Sequence, residues 1–142
     1  MISVLLLRNQ YADIERLAHA VIAFGEVNNL PEEIVGDIRL ALEEVVTNVM
    51  MHGYTDNAPH EIEIRFSAVP HRVSFTVIDD GQPFDPLSTA RRDLEKGFDD
   101  GKIGGLGIHL YTQLMDTVSY QRLNDRNLLV MAKRIPGHRT SD

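Results

Sequence analysis

The 142-residue sequence contains no cysteine and no tryptophan. The first absence excludes disulfide frameworks, cysteine-ligated zinc and thiol nucleophiles. The second, with aromatic residues at only 6%, leaves Leu, Ile and Val to fill the core, as is ordinary in mixed α/β proteins. Basic residues are also scarce: 14 Lys and Arg stand against 21 Asp and Glu, for a formal net charge of −7. Binding a nucleic-acid backbone needs a concentrated excess of Lys and Arg, so direct DNA binding is not expected. Nothing approaches the length of a membrane span, and the apolar run Ile2 to Leu7 is too short for a signal-peptide core with its cleavage site. These absences describe a soluble, unexported chain for which the cytoplasm is the expected compartment.

What is present suits one compact domain. Hydrophobic residues make up 43% of the chain and no low-complexity tract interrupts it, so a single domain is expected over residues 1–136, with 137–142 as a frayed tail. Ile2 to Leu7 reads as a strand. Ile14, Leu17, Ala18, Val21 and Ile22 then recur at helical spacing. Asn28-Asn29-Leu30-Pro31 breaks that pattern, and Pro31 with Glu32 and Glu33 signals a second helix start. Ile34, Ile38, Leu42, Val45 and Val49 give this helix an apolar stripe that ends at His52-Gly53-Tyr54. Ile62, Ile64 and Phe66 alternate with polar residues, as do Val73, Phe75 and Val77 after a Pro70-His71 turn, which predicts an antiparallel hairpin. From Asp79 to Gly105 the chain is rich in Gly, Asp, Pro and Arg, a long loop of the kind that is usually functional. A helix around Leu106, Leu110 and Leu114 and a hairpin of 117–122 with 128–134 complete the pattern. The predicted fold is an α+β two-layer sandwich, a mixed and mainly antiparallel sheet with helices on one face.

Three segments carry candidate chemistry. Glu44, Asn48 and His52 form one row on the second helix, beside its apolar stripe, where their tips can line a pocket. A solvated helix edge is the competing account, although Asn is a poor helix former with no evident reason to sit mid-helix. Asp79-Asp80-Gly81 directly follows a strand, either as a simple turn or as a carboxylate at the sheet edge beside a glycine that admits a ligand. Gly104-Gly105-Leu106-Gly107 opens a helix, either as a hinge or as a set of exposed N–H groups suited to phosphate oxygens. Two common nucleotide motifs fail here. Gly97 to Lys102 is one residue too short for a P-loop and lacks its Ser or Thr, and Gly105-x-Gly107 follows a loop and lacks the third glycine of the dinucleotide fingerprint.

In this order the three segments resemble the N box and the two glycine boxes of the ATPase family that contains gyrase, MutL and the histidine kinases. Within it, Glu44-Val45-Val46-Thr47-Asn48-Val49-Met50-Met51-His52-Gly53-Tyr54 and Asp79-Asp80-Gly81-Gln82-Pro83-Phe84-Asp85-Pro86 look most like the anti-sigma-factor serine kinases, and Gly104 to Ile108 continues the match. The resemblance implies ATP and magnesium as cofactors. It implies that Asn48 holds the magnesium ion, that Asp79 accepts a hydrogen bond from the adenine amino group, and that Gly81 gives the base room. Gly104, Gly105, Leu106 and Gly107 would contact the phosphates, with Lys102 the nearest cation, and Glu44 would be the general base for attack by a serine hydroxyl. Where relatives often carry Gly-Thr before the closing strand, this chain has Arg126-Asn127-Leu128, and Asn127 is left either to donate a hydrogen bond or to form the turn.

The implied function is a partner-switching protein serine/threonine kinase that binds a sigma factor and phosphorylates a Ser on an anti-anti-sigma protein of the STAS type. A homodimer through the apolar N-terminal strand is also expected. The alternative is a nucleotide-gated module that sequesters a partner without transferring phosphate, and Glu44 is what separates the two. A detached histidine-kinase domain would need a helical hairpin presenting a phosphoacceptor His; His19 on the first helix reads as a surface residue.

Overall fold

The computed structural model describes residues 2–88 and 110–136. Its elements are β1 (Ile2–Arg8), α1 (Asp13–Val27), α2 (Glu32–His52), β2 (Glu61–Val69), β3 (Arg72–Asp79), β4 (Thr117–Leu123) and β5 (Arg126–Arg134), with a further helical segment at 110–114. The proposed tail, 137–142, lies outside the described residues.

The strands form one five-stranded sheet in the order β1-β2-β3-β5-β4. All four pairings are antiparallel, so the expected mainly antiparallel sheet contains no parallel pair among the described residues. β5 is inserted between β3 and β4. Each hairpin is set by left-handed backbone: His71 (φ 68°) follows Pro70 between β2 and β3, and Asn124 (φ 52°) and Asp125 (φ 62°) make a two-residue turn of the type I′ kind between β4 and β5.

Strand alternation sends Ile62, Ile64, Phe66, Val73, Phe75, Val77, Leu129 and Met131 into one buried cluster with Leu17 and Val21 of α1 and Ile38, Ala41, Leu42, Val45 and Val46 of α2. Phe24 of α1 packs its ring 5.3 Å from Phe66 and 5.7 Å from Phe75, joining helix to sheet. Of the expected apolar positions on α1, Ile22 is exposed. Pro31 sits one place before the first residue of α2 rather than within it, with an extended ψ of 148° and its carbonyl accepting from Val35 N–H. Asn29, at φ 54°, makes the sharp reversal between the two helices.

β3 ends differently from its start. Val77, Ile78 and Asp79 are all buried, so the strand runs its final carboxylate below the surface. The C-terminal end of α2 is tied to the same place: Gln82 N–H donates to the Gly53 carbonyl at 2.7 Å and Gln82 Nε2 to the His52 carbonyl at 2.6 Å.

Candidate functional site

Three elements therefore converge: the last turns of α2, the end of β3 and the β4–β5 hairpin. Between them lies a small pocket partly open to solvent. Val45, Asn48, Val49 and Gly53 line it from α2, Val77 and Asp79 from β3, Tyr120, Asn127 and Leu129 from the hairpin, and Phe84, Pro86 and Tyr111 from the connecting segments. The walls are mostly apolar and the polar groups few, which is the usual character of a small-molecule site.

Asn48 is the first of those polar groups. Its Nδ2 is buried and has no hydrogen-bond partner among the described residues. Such an unsatisfied donor costs about 1–3 kcal/mol, so its placement mid-helix needs a cause other than folding. Glu44, one helical turn earlier, is half-buried and does not line the pocket. Its charge nevertheless reaches Tyr111, which does line it: burial first, then Asp85 and Glu44, push the Tyr111 phenol above its ordinary range.

Asp79 is 5% exposed. Its Oδ1 accepts from Gly81 N–H at 2.9 Å and from Asn127 Nδ2 at 2.9 Å; neither bond uses Oδ2. Burial pushes its carboxyl upward, while the hydrogen bonds from Asn127 and Gly81 and the charge of Arg122 oppose that shift. Gly81 has a reason beyond admitting a ligand, because a Cβ there would lie 2.4 Å from the Gly53 carbonyl oxygen. His52, the third member of the helix row, is exposed and stacks on Phe84 at 6.2 Å between ring centroids.

Several residues here were not singled out by sequence reasoning. Tyr120 and Arg122 of β4 both bond Asn127, and an arginine on the register shared with Val118 and Tyr120 was the available signal. Tyr54 carries a buried hydroxyl without a partner among the described residues. Burial and the charges of Asp79, Asp80 and Asp56 push it above its ordinary range.

Beside Tyr54, His60 stacks at 4.0 Å between centroids. Its Nε2 is 2.7 Å from Asp56 Oδ1 and its Nδ1 3.1 Å from Asp80 Oδ1. The hydrogen bond to Asp56 is the main cause of an upward shift from the ordinary 6.5, with both carboxylate charges adding to it against desolvation. A histidine whose pKa is raised by folding contributes stability that is full below the unfolded value and is lost as pH rises through the folded one. An NMR titration should place the His60 midpoint above 6.5, with thermal stability declining across the same window. His60→Gln should flatten that decline; an unchanged slope would detach His60 from it.

The sequence profile of the histidine kinase-like ATPase domain family matches residues 7–133. The chain belongs to that family. It is 32% identical over 110 residues to the serine-protein kinase RsbW of Bacillus velezensis, covering 74% of this chain and 68% of that one. It is 29% identical over 104 residues to an anti-sigma F factor of Clostridium perfringens, covering 72% and 74%. The chain spans about two thirds of the length of the first curated relatives it matches. Among solved structures, that of the RsbU and RsbW domains of a Mycobacterium tuberculosis protein superposes with a TM-score of 0.68 at 16% identity, covering 100% of this chain and 35% of the other. That likeness establishes the histidine-kinase-like ATPase fold. The enzyme class expected from the sequence, a protein serine kinase, is the one for which the RsbW relative is named.

Of the expected site residues in this ATPase domain, Asn48 and Asp79 share one pocket, Gly81 adjoins it, and Glu44 does not line it although its charge is felt at Tyr111. Lys102, Gly104, Gly105, Leu106 and Gly107 lie outside the described residues.

Proposed function

We propose that this chain is an ATP-dependent anti-sigma factor and serine kinase, which binds a sigma factor and transfers the ATP γ-phosphate to a Ser on a STAS-type anti-anti-sigma protein. The single observation that carries the reading is the pairing, within one apolar pocket, of an unpartnered amide at Asn48 with a buried carboxylate at Asp79. The names of the RsbW and anti-sigma F relatives support the partners.

The residues present suit a magnesium–ATP complex. Val45, Val49, Val77 and Leu129 offer flat apolar walls for a purine, and Asp79 keeps an oxygen for its exocyclic amine. Magnesium retains several waters and takes oxygen ligands, so one neutral protein ligand is adequate, and Asn48 Oδ1 would supply it while the unpartnered Nδ2 donates to a phosphate oxygen. The bound ion would screen the phosphate charge on an acidic protein. Gly104, Gly105, Leu106 and Gly107 are proposed to hold the phosphates through backbone N–H groups, with Lys102 beside them. Glu44 is proposed to accept the proton of the incoming serine hydroxyl as attack on phosphorus begins.

Among the described residues β1 pairs only with β2, and Val4 (56%) and Leu6 (44%) are exposed on it. An uncovered apolar edge of this kind supports the proposed homodimer. No helix among the described residues is long and apolar enough to cross a membrane, and the proposed site of action is the cytoplasm.

One observation favours the second reading, a sequestering module without phosphate transfer: Glu44 is not among the pocket-lining residues. The deciding experiment follows radiolabelled γ-phosphate from magnesium–ATP to candidate STAS proteins, with wild type and Asn48→Ala compared. The variant should lose nucleotide binding and transfer together while its melting temperature does not fall, since the buried unpaired donor is gone. Unchanged magnesium–ATP affinity would remove Asn48 from the site. ATP binding without transfer to any partner would favour the module, and no ATP binding would end both readings.

A further inference from the structure

Asn127 stands at the centre of a closed hydrogen-bond circuit. Its Nδ2 donates to Asp79 Oδ1 at 2.9 Å and to the Gln82 carbonyl at 2.9 Å. Its Oδ1 accepts from the Tyr120 hydroxyl and from Arg122 Nη1, the latter at 3.2 Å. The same Arg122 nitrogen donates to the Gly81 carbonyl at 2.7 Å, and Gly81 N–H returns to Asp79 Oδ1 at 2.9 Å. The circuit thus runs from Asp79 through Gly81, Arg122 and Asn127 back to Asp79.

This arrangement fixes more than a turn. The Asn127 amide is held in one orientation, because reversing it would set its oxygen against a carboxylate and a carbonyl and its NH2 against the Arg122 guanidinium. The Arg122 cation on the amide oxygen polarises the amide and strengthens donation from its other end. Asp79 is buried and could relieve that burial by rotating or by taking a proton. Two donors on Oδ1 oppose both, since each bond favours the ionised carboxylate in its present rotamer.

We infer that Asn127, held by Arg122, is a positioning residue that sets the base selectivity of the pocket by committing one Asp79 oxygen and leaving the other as an acceptor for the base. The inference rests on the reading of the pocket as an adenine site. A fixed acceptor takes the 6-amino group of adenine and repels the 6-oxo group of hypoxanthine or guanine. A carboxyl released from the circuit can turn aside, or protonate and donate its O–H to a 6-oxo group. Base discrimination in this chain is therefore a property of the β4–β5 hairpin as much as of Asp79.

The test measures dissociation constants for magnesium–ATP and magnesium–ITP by calorimetry, from pH 5.5 to 8, in wild type, Asn127→Ala and Arg122→Met. Wild type should prefer ATP strongly at every pH. In Asn127→Ala, ATP affinity should fall by about tenfold, the size expected for losing one hydrogen bond to a charged group. ITP affinity should hold or improve, most at low pH, so that the preference collapses. Arg122→Met keeps the packed stem of the side chain and should shift the ratio the same way to a smaller extent, which preserves the test if Asn127→Ala folds poorly. Equal losses for ATP and ITP in both variants, with the ratio kept, would overturn the inference and leave the adenine pocket standing. A wild type that fails to bind ATP, or binds ATP and ITP alike, would overturn the pocket reading and this inference with it.

Discussion

Glu44→Gln is expected to slow phosphate transfer to the partner serine by about 10²–10⁴-fold, the usual worth of a positioned general base, while ATP affinity stays near the wild-type value. The substitution keeps the shape and the helix-forming tendency of the side chain and removes only its capacity to take a proton. Glu44 lies one turn of α2 before Asn48 and is not among the pocket-lining residues, so the expected loss falls on transfer rather than on nucleotide affinity. Its charge is felt at Tyr111, which lines the pocket. Single-turnover transfer against pH is the appropriate measurement: the variant should lose rate without a matching change in the ATP dissociation constant, which is the signature of an interaction made in the transition state. Equal transfer rates would mean that the substrate or another residue accepts the proton.

Asp79→Asn should weaken ATP binding by about a hundredfold or more, because a site that offers a donor where the base also has one leaves both unpaired. The folded chain should be no less stable for it. An asparagine oxygen can still accept from Gly81 N–H and Asn127 Nδ2 as Oδ1 does now, and the cost of burying an ionised carboxylate disappears. The sign follows from the upward shift of the Asp79 pKa. The native state binds this proton more tightly than the unfolded chain, so ionisation of Asp79 subtracts stability as pH rises from the ordinary 3.8 through the raised folded value. At neutral pH the variant should therefore melt at or above the wild-type temperature. A marked drop in melting temperature would show that the carboxylate is needed for the fold itself, and unchanged ATP affinity would remove it from the base site.

Local chemistry wrote much of this fold openly. The stripe from Ile34 to Val49 and the alternation in Ile62–Phe66 and Val73–Val77 are short-range signals, and they appear as α2, β2 and β3. The Pro70-His71 turn was visible for the same reason. The strand order was not legible, because nothing in residues 126–134 says that they pair with β3 as well as with β4. Asn48 could be picked out because asparagine is out of place mid-helix, and its buried, unpaired amide gives that anomaly a physical form. Asp79 and Gly81 were legible as a pair, but the nearness of Gly81 to the Gly53 carbonyl depends on two segments 28 positions apart meeting in space. Arg122 and Tyr120 were hidden more deeply, since their role exists only once β5 carries Asn127 up to Asp79.

The insertion of β5 between β3 and β4 has a consequence for how the protein is made. β1, β2 and β3 can emerge from a ribosome and pair in sequence order, but β3 then presents an open edge until residues 126–134 arrive. The same late strand supplies Asn127 to Asp79. A nascent chain released or cleaved before that strand is complete would leave the β3 edge unpaired and the buried Asp79 without its Asn127 donor, so the end of synthesis and the completion of this pocket coincide.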